Sequence, residues 1–252
     1  MTVKALTLPF KEAVEFFRRK VNLPTQTWRD IQHNEHDRAF VVAGATKAEL
    51  LADLRRAVDT AIAKGTTLET FRKDFNKIVA RHGWEHNGSP AWRSKVIFDT
   101  NIRTAYAAGR YAQQTEPAFQ ERNPYWEWRH GGSAHPRPQH LAWNGMILPA
   151  SHPHWAAHYP PCDWGCQCRV VALSEDAVRR QGLTLLQAPP KPLGPAGPGE
   201  VLPGVGVGWD YTPGASVRER LVPQVLTRAQ ELPPRIKADL VADIETFLRR
   251  TE

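Results

Sequence analysis

The stretch from Pro124 to Leu173, PYWEWRHGGSAHPRPQHLAWNGMILPASHPHWAAHYPPCDWGCQCRVVAL, constrains this chain more than any other. It concentrates all three cysteines (Cys162, Cys166 and Cys168) and most of the histidines and tryptophans. Small segments with few aliphatic residues bury too little apolar surface to hold themselves together, and they need a staple. Three cysteines within one short run cannot form a disulfide framework, so free thiols or metal ligands are expected.

The chain before this block reads as helices. Phe10, Val14, Phe17 and Val21 recur at helical spacing, and Asn22-Leu23-Pro24 is a stop signal. Residues 27–44 read as a short helix with an apolar end, carrying His33 and His36 at the surface. Thr46 with Glu49 and Thr66 with Glu69 have the spacing of capping boxes. Leu50, Leu51, Leu54, Val58 and Ile62 follow the first as one stripe, and Phe71, Phe75 and Ile78 follow the second. Gly65 and Gly83 are the expected helix ends, and two such helices on a tight link pack antiparallel. Ser89-Pro90 opens a longer helix to about Glu116. Asn101 and Arg103 on it read either as buried anchors or as solvated groups.

Within the block the pattern becomes strand-like. Tyr125 to Arg129 alternates and is aromatic, Asn144-Gly145 marks a turn into Met146-Ile147-Leu148, and Cys168 to Leu173 reads as a third strand. Trp126, Trp128, Trp143, Trp155 and Trp164 read as the core of this module. Ser174 opens a short helix ending at Gly182. Residues 188–214 are rich in Pro and Gly, which excludes a regular helix or central strand and predicts an extended arm. Two helical segments, about 215–231 and 235–250, follow around Pro233-Pro234. The expected fold is α+β in four regions: helical residues 1–120, a β-rich Cys/His module at 121–183, a Pro/Gly-rich arm at 184–214, and C-terminal helices at 215–252.

Composition narrows function only modestly. No run approaches the roughly 18 apolar residues of a membrane span, and the first residues lack a signal-peptide pattern, so cytosolic synthesis without a membrane partner is expected. A net charge of +7 permits contact with nucleic acid without demanding it.

Cys166-Gln167-Cys168 puts two thiols close together at a strand entry, and zinc binds Cys and His tetrahedrally. Cys162, His140, His135 and His158 are the candidate partners, and a structural zinc on His140, Cys162, Cys166 and Cys168 is one reading. In the other, the cysteines are small buried residues and the histidines hydrogen-bond the loops. A catalytic Cys–His pair, or a metal nuclease of the His-Asn-His type using Asn144, is a further alternative. The block holds only Glu127 and Asp163 as carboxylates, and no phosphate loop, nucleophile elbow or His-Glu-x-x-His motif occurs. A non-enzymatic protein is therefore expected.

Several stretches also carry a family resemblance: FFRRKVNLPTQTWRDI, EHDRAFVVAGATKAELLADLRRAVD, GTTLETFRKDF, IFDTNIRTAYAAGRYAQ, the block from YWEWRHGG to CQCRV, and GVGWDYTPG. Together they resemble the phage Mu F-like minor head proteins of the phage head morphogenesis family. The resemblance implies a minor capsid protein of a tailed phage or prophage, made in the host cytoplasm and carried inside the virion. It implies portal, major capsid or scaffold proteins as partners, and a role in head assembly and in handling phage DNA at packaging or ejection. Motif by motif it carries His140, Cys166, Cys168 and Arg169 onto this chain. Cys162, after Pro160-Pro161, is an extra thiol relative to the Mu-like branch. Arg137-Pro138-Gln139-His140 stands where other branches carry Cys-x-x-Cys. A metal-dependent nuclease acting on phage DNA is the alternative function, and with only the stretch after Gly214 to hold it, the toxin or transferase domain of some relatives is not expected.

Overall fold

Apolar residues at helical spacing build the first part of the fold. The computed structural model describes residues 10–215, 230 and 233–250. Helices α1 (Lys11–Arg18), α2 (Ala48–Lys64), α3 (Leu68–His82) and α4 (Pro90–Gln114) pack around Phe17, Leu50, Leu51, Leu54, Ile62, Phe71 and Phe75, which are all essentially inaccessible to solvent. Each such side chain contributes roughly 1.5–3 kcal/mol on burial, far more than any helix propensity. A Cβ on Gly109 of α4 would lie 2.7 Å from the Ala13 nitrogen, so glycine is what lets α1 approach this closely.

Several local expectations shift. Lys47 precedes α2 with no side-chain cap, so Thr46 does not cap it. Thr67, not Thr66, caps α3, its hydroxyl accepting from the Thr70 N–H at 3.3 Å. Adjacent threonines satisfy the same spacing rule, and only one of them adopts the extended backbone of a cap. Ser89 caps α4 as read, accepting from the Trp92 N–H. Val21 does not extend α1. It is largely exposed in β1 (Val21–Asn22), which pairs in parallel with β2 (Ala39–Phe40). The helix expected within 27–44 is only a 3-10 turn, His33–Asp37. His33 and His36 are not plain surface residues: His33 Nδ1 pairs with Asp210, and His36 is half-buried, its pKa lowered to about 4 by burial first and then by Lys20.

After α4 and α5 (Pro117–Arg122), β3 (Tyr125–Arg129) forms the centre of an antiparallel sheet. β4 (Ile147–Pro149) and β5 (Arg169–Leu173) flank it, so Trp126 lies opposite both Leu148 and Ala172. Trp126 and Trp128, two apart and on one face, join Trp143, Trp155 and Tyr159 in a second core to which α4 contributes Tyr111. Trp164 is the exception: it is partly exposed and makes edge contacts with Trp28 and Trp209. The connections between strands carry α6 (Pro138–Ala142) and α7 (Trp155–His158), and α8 (Glu175–Arg180) follows β5, capped by Ser174.

Residues 200–215 return to the rest of the fold. β6 (Glu200–Leu202) and β7 (Val205–Gly206) pair with each other, and Val205, Trp209 and Tyr211 are buried. The Gly206 N–H donates to the Cys162 carbonyl, and the Gly214 N–H to Asp37 Oδ2, each at 2.9 Å. Helix α9 (Pro234–Arg250) corresponds to the second C-terminal segment. The first, 215–231, lies outside the described residues apart from Ala215 and Gln230. The architecture is α+β, and no described helix is long and apolar enough to cross a membrane.

Candidate metal centre

Short local structures place each ligand-type side chain. Pro138 opens α6, which carries His140 into the aromatic core, where its ring stacks on Trp143 and meets the edge of Trp128. A tight turn returns the Cys166 N–H to the Asp163 carbonyl at 3.0 Å, and Cys168 sits at the entry to β5. Arg103 of α4 fastens that turn, donating to the Gly165 carbonyl at 3.0 Å and to Asp99 at 3.1 Å. Arg137 fastens it from the other side, to Asp163 Oδ2 at 2.6 Å and the Trp164 carbonyl at 2.9 Å. Of the residues left open in sequence, Arg103 is thus a half-buried anchor, while Asn101 bonds its own helix at Ile97. Gly131 comes so close to the turn that a Cβ there would fall 2.1 Å from the Gln167 oxygen, and its backbone N–H donates to the Cys168 sulfur.

These elements bring together His140, Cys166 and Cys168, whose ligand atoms all lie within 4.8 Å of one another, the one such group among the described residues. His140 Nδ1 stands 3.7 Å from Cys166 Sγ and 3.6 Å from Cys168 Sγ. Zinc–ligand lengths of about 2.3 Å to sulfur and about 2.05 Å to nitrogen, at tetrahedral angles, put sulfur and nitrogen about 3.6 Å apart. The spacing thus matches a tetrahedral ion as well as it matches thiol–imidazole hydrogen bonds.

The orientation of the imidazole favours the same use. His140 Nε2 lies 2.7 Å from the Gly204 carbonyl, which can only accept, so Nε2 carries the proton and Nδ1 presents its lone pair to the sulfurs. The thiol of Cys168 donates to Cys166, which holds the Cys166 pKa well below the usual thiol range against the effect of burial. The same hydrogen bond, with burial, holds the Cys168 thiol well above it. A metal ion binds such sulfurs as thiolates, and its binding releases their protons. The group could hold a metal ion, and three protein ligands leave one tetrahedral position for a further ligand.

The other sequence candidates stand apart from this trio. Cys162 is fully buried, burial pushes its thiol well up, and it lies outside the group. His135 is exposed. His158 stacks on His154 at 4.1 Å between ring centroids and bonds the His154 carbonyl. Arg169 is exposed at the head of β5, opposite Arg129. Asn144 accepts from the His130 N–H at 2.9 Å, a tie between loops. Gly204 and Arg103 are the supporting residues that the sequence did not single out in these roles. Both are far from the ligands along the chain, so no local spacing announces them.

Comparison with known proteins follows the same region. Residues 52–171 match the family model described as Phage Mu protein F like protein. The chain is 41% identical over 171 residues to the Mu-like prophage FluMu F protein of Haemophilus influenzae, covering 64% of this chain and 41% of that protein. It is 37% identical over 194 residues to the putative capsid assembly protein F of Escherichia phage Mu, covering 71% of this chain and 44% of that protein. The chain spans under half the length of these relatives. No solved structure matches it. The matched residues 52–171 include α3, α4 and all three residues of the trio, and over them the chain is similar to the phage Mu protein F-like proteins.

Proposed function

We propose that this protein is a minor head protein of a Mu-like phage or prophage, acting without catalysis in capsid assembly. The 194-residue match to a relative named for capsid assembly carries the reading. In it the protein is made in the host cytoplasm, ends in the virion, and contacts head components such as the portal, major capsid or scaffold proteins, with roles in DNA packaging or ejection. The trio serves as a staple: a zinc ion on His140, Cys166 and Cys168 would cross-link α6 to the turn before β5, and Cys162 would remain a packed neutral thiol. Supporting this use, His140 and Cys166 are buried, the tautomer is fixed by backbone, and no carboxylate belongs to the group among the described residues.

Three measurements test the reading. Deletion of the coding sequence from an inducible prophage is expected to reduce the yield of filled heads, with the protein detected in purified wild-type heads. Normal heads after deletion, together with its absence from wild-type heads, would overturn the assembly role. Metal analysis is expected to find close to stoichiometric zinc, lost in the Cys166→Ser/Cys168→Ser variant. Plasmid incubated with the protein and Mg²⁺, Mn²⁺ or Zn²⁺ is expected to stay intact. Cleavage abolished by His140→Ala would replace the reading with a nuclease.

A further inference from the structure

Beside the trio, and sharing Cys166 and Cys168 with it, lies a cleft of about 330 Å³ between α4 and the segments around Pro160 and β5. Three guanidinium groups line it: Arg103, Arg110 and Arg169. No aspartate or glutamate does so among the described residues. Arg103 is held in place by Asp99 and the Gly165 carbonyl. Arg110 and Arg169 are exposed, and neither has a carboxylate partner among the described residues. Arg129, opposite Arg169 across the sheet, is by contrast neutralised by Glu127 at 2.8 Å. Uncompensated guanidinium groups gathered on one cleft raise its positive potential and favour an anion. Their planar forks fit the oxygens of a phosphate, and they need no deprotonation to stay charged.

The walls narrow the ligand further. Tyr106, Pro160 and Pro161 give the cleft apolar surface beside the cations. A bare phosphate would leave that surface unused, whereas an organic group attached to the phosphate would cover it. The volume stands at the low end of the roughly 300–1,000 Å³ of small-ligand sites, room for one nucleotide rather than for a large cofactor. We infer that this cleft binds a phosphate ester of nucleotide size, whether a free nucleotide or one unit of a nucleic-acid strand. The inference rests on the arginines and apolar walls of the cleft and stands or falls independently of the capsid reading.

Calorimetric titration of the full chain tests it with three probes: inorganic phosphate, thymidine monophosphate and a single-stranded oligo-dT, each at low and at high salt. Binding of at least one ester, weakening with salt and tighter than inorganic phosphate, is expected. Arg110→Gln/Arg169→Gln is expected to lower that affinity about tenfold or more. Arg38→Gln/Arg122→Gln makes the same change in net charge at exposed positions that do not line the cleft, and should leave affinity within about twofold. Binding of the mononucleotide identifies a nucleotide site, and binding of the oligonucleotide alone identifies a strand site. Absence of binding by every probe overturns the inference, as does an equal loss in both double variants, or phosphate binding as tightly as the esters. All four replaced side chains are exposed, and unchanged circular dichroism of each variant separates loss of binding from loss of fold.

Discussion

The helical core and the aromatic core meet along α4, which gives Ile97 and Ala105 to the first and Tyr111 to the second. On one side, Leu, Ile, Val and Phe side chains from four helices bury non-directional apolar surface, and each helix satisfies its own backbone. On the other, strands of three to five residues support Trp, Tyr, His and Cys groups that bring polar atoms indoors. Those atoms need partners: Tyr159 donates to Gln114 at 2.9 Å, Trp155 Nε1 to the Pro149 carbonyl at 3.0 Å, and His140 to Gly204. The first region can lose a contact and settle around the gap. The second depends on a few oriented ties, because a broken one leaves a buried polar group unpaired.

Under the proposed zinc staple, its removal should have the largest effect. Chelation, or Cys166→Ser/Cys168→Ser, is expected to destabilise the module more than any substitution below, since metal binding free energy is folding free energy. The near-ultraviolet dichroism of Trp126, Trp128 and Trp143 should collapse while the far-ultraviolet helical signal persists. A parallel loss of both signals would show that the two cores unfold as one and would break the comparison. Leu54→Ala, in the centre of the helical core, should cost roughly 2–5 kcal/mol in urea titrations and leave metal content unchanged. Gly131→Ala sharpens the contrast from the other side. Its new Cβ must displace the Cys166-Gln167-Cys168 backbone, at roughly 1–3 kcal/mol, and metal content should fall with stability.

Acid sensitivity, which leaves stability at neutral pH untouched, separates the regions residue by residue. Burial lowers the pKa of His36 to about 4 in the N-terminal part and that of His154 to about 3 in the module. Both are neutral when folded, whereas the unfolded chain takes up a proton below about pH 6.5. Stability should therefore be level above that pH and decline as pH falls from about 6.5 towards 4. His36→Gln and His154→Gln should each flatten part of the decline. An unchanged slope in either variant would remove that histidine from the account.

What could be read in advance follows the same division. The stripes of α2, α3 and α4 are local, and so is the alternation in β3, so sequence spacing placed them to within a residue or two. The caps slipped by one residue because Thr66 and Thr67 compete for one geometry. Val21 continued the spacing of Phe17, but the chain had already left the helix. Trp164 looked like core by type, yet tryptophan type does not say which side of a loop will be covered. His140, Cys166 and Cys168 stood among the sequence candidates with Cys162, His135 and His158, and only the fold brings those three together and leaves the others apart. Gly204 and Arg103 were not among them, because what they contribute is a carbonyl and a guanidinium delivered by the tertiary fold from distant positions.

The tie between His140 and Gly204 also sets a sequence of events in time. A ribosome has delivered all three ligands once Cys168 emerges, but the carbonyl that holds the imidazole proton on Nε2 arrives only with residue 204. Until then the ring is free to present either nitrogen, and under the proposed zinc staple an ion caught early would be held by an unlocked ligand. The last residues to arrive thus act as a latch on a site that was chemically complete well before them. A nascent chain released short of Gly204 would carry the ligands of this centre without the means to keep them aimed.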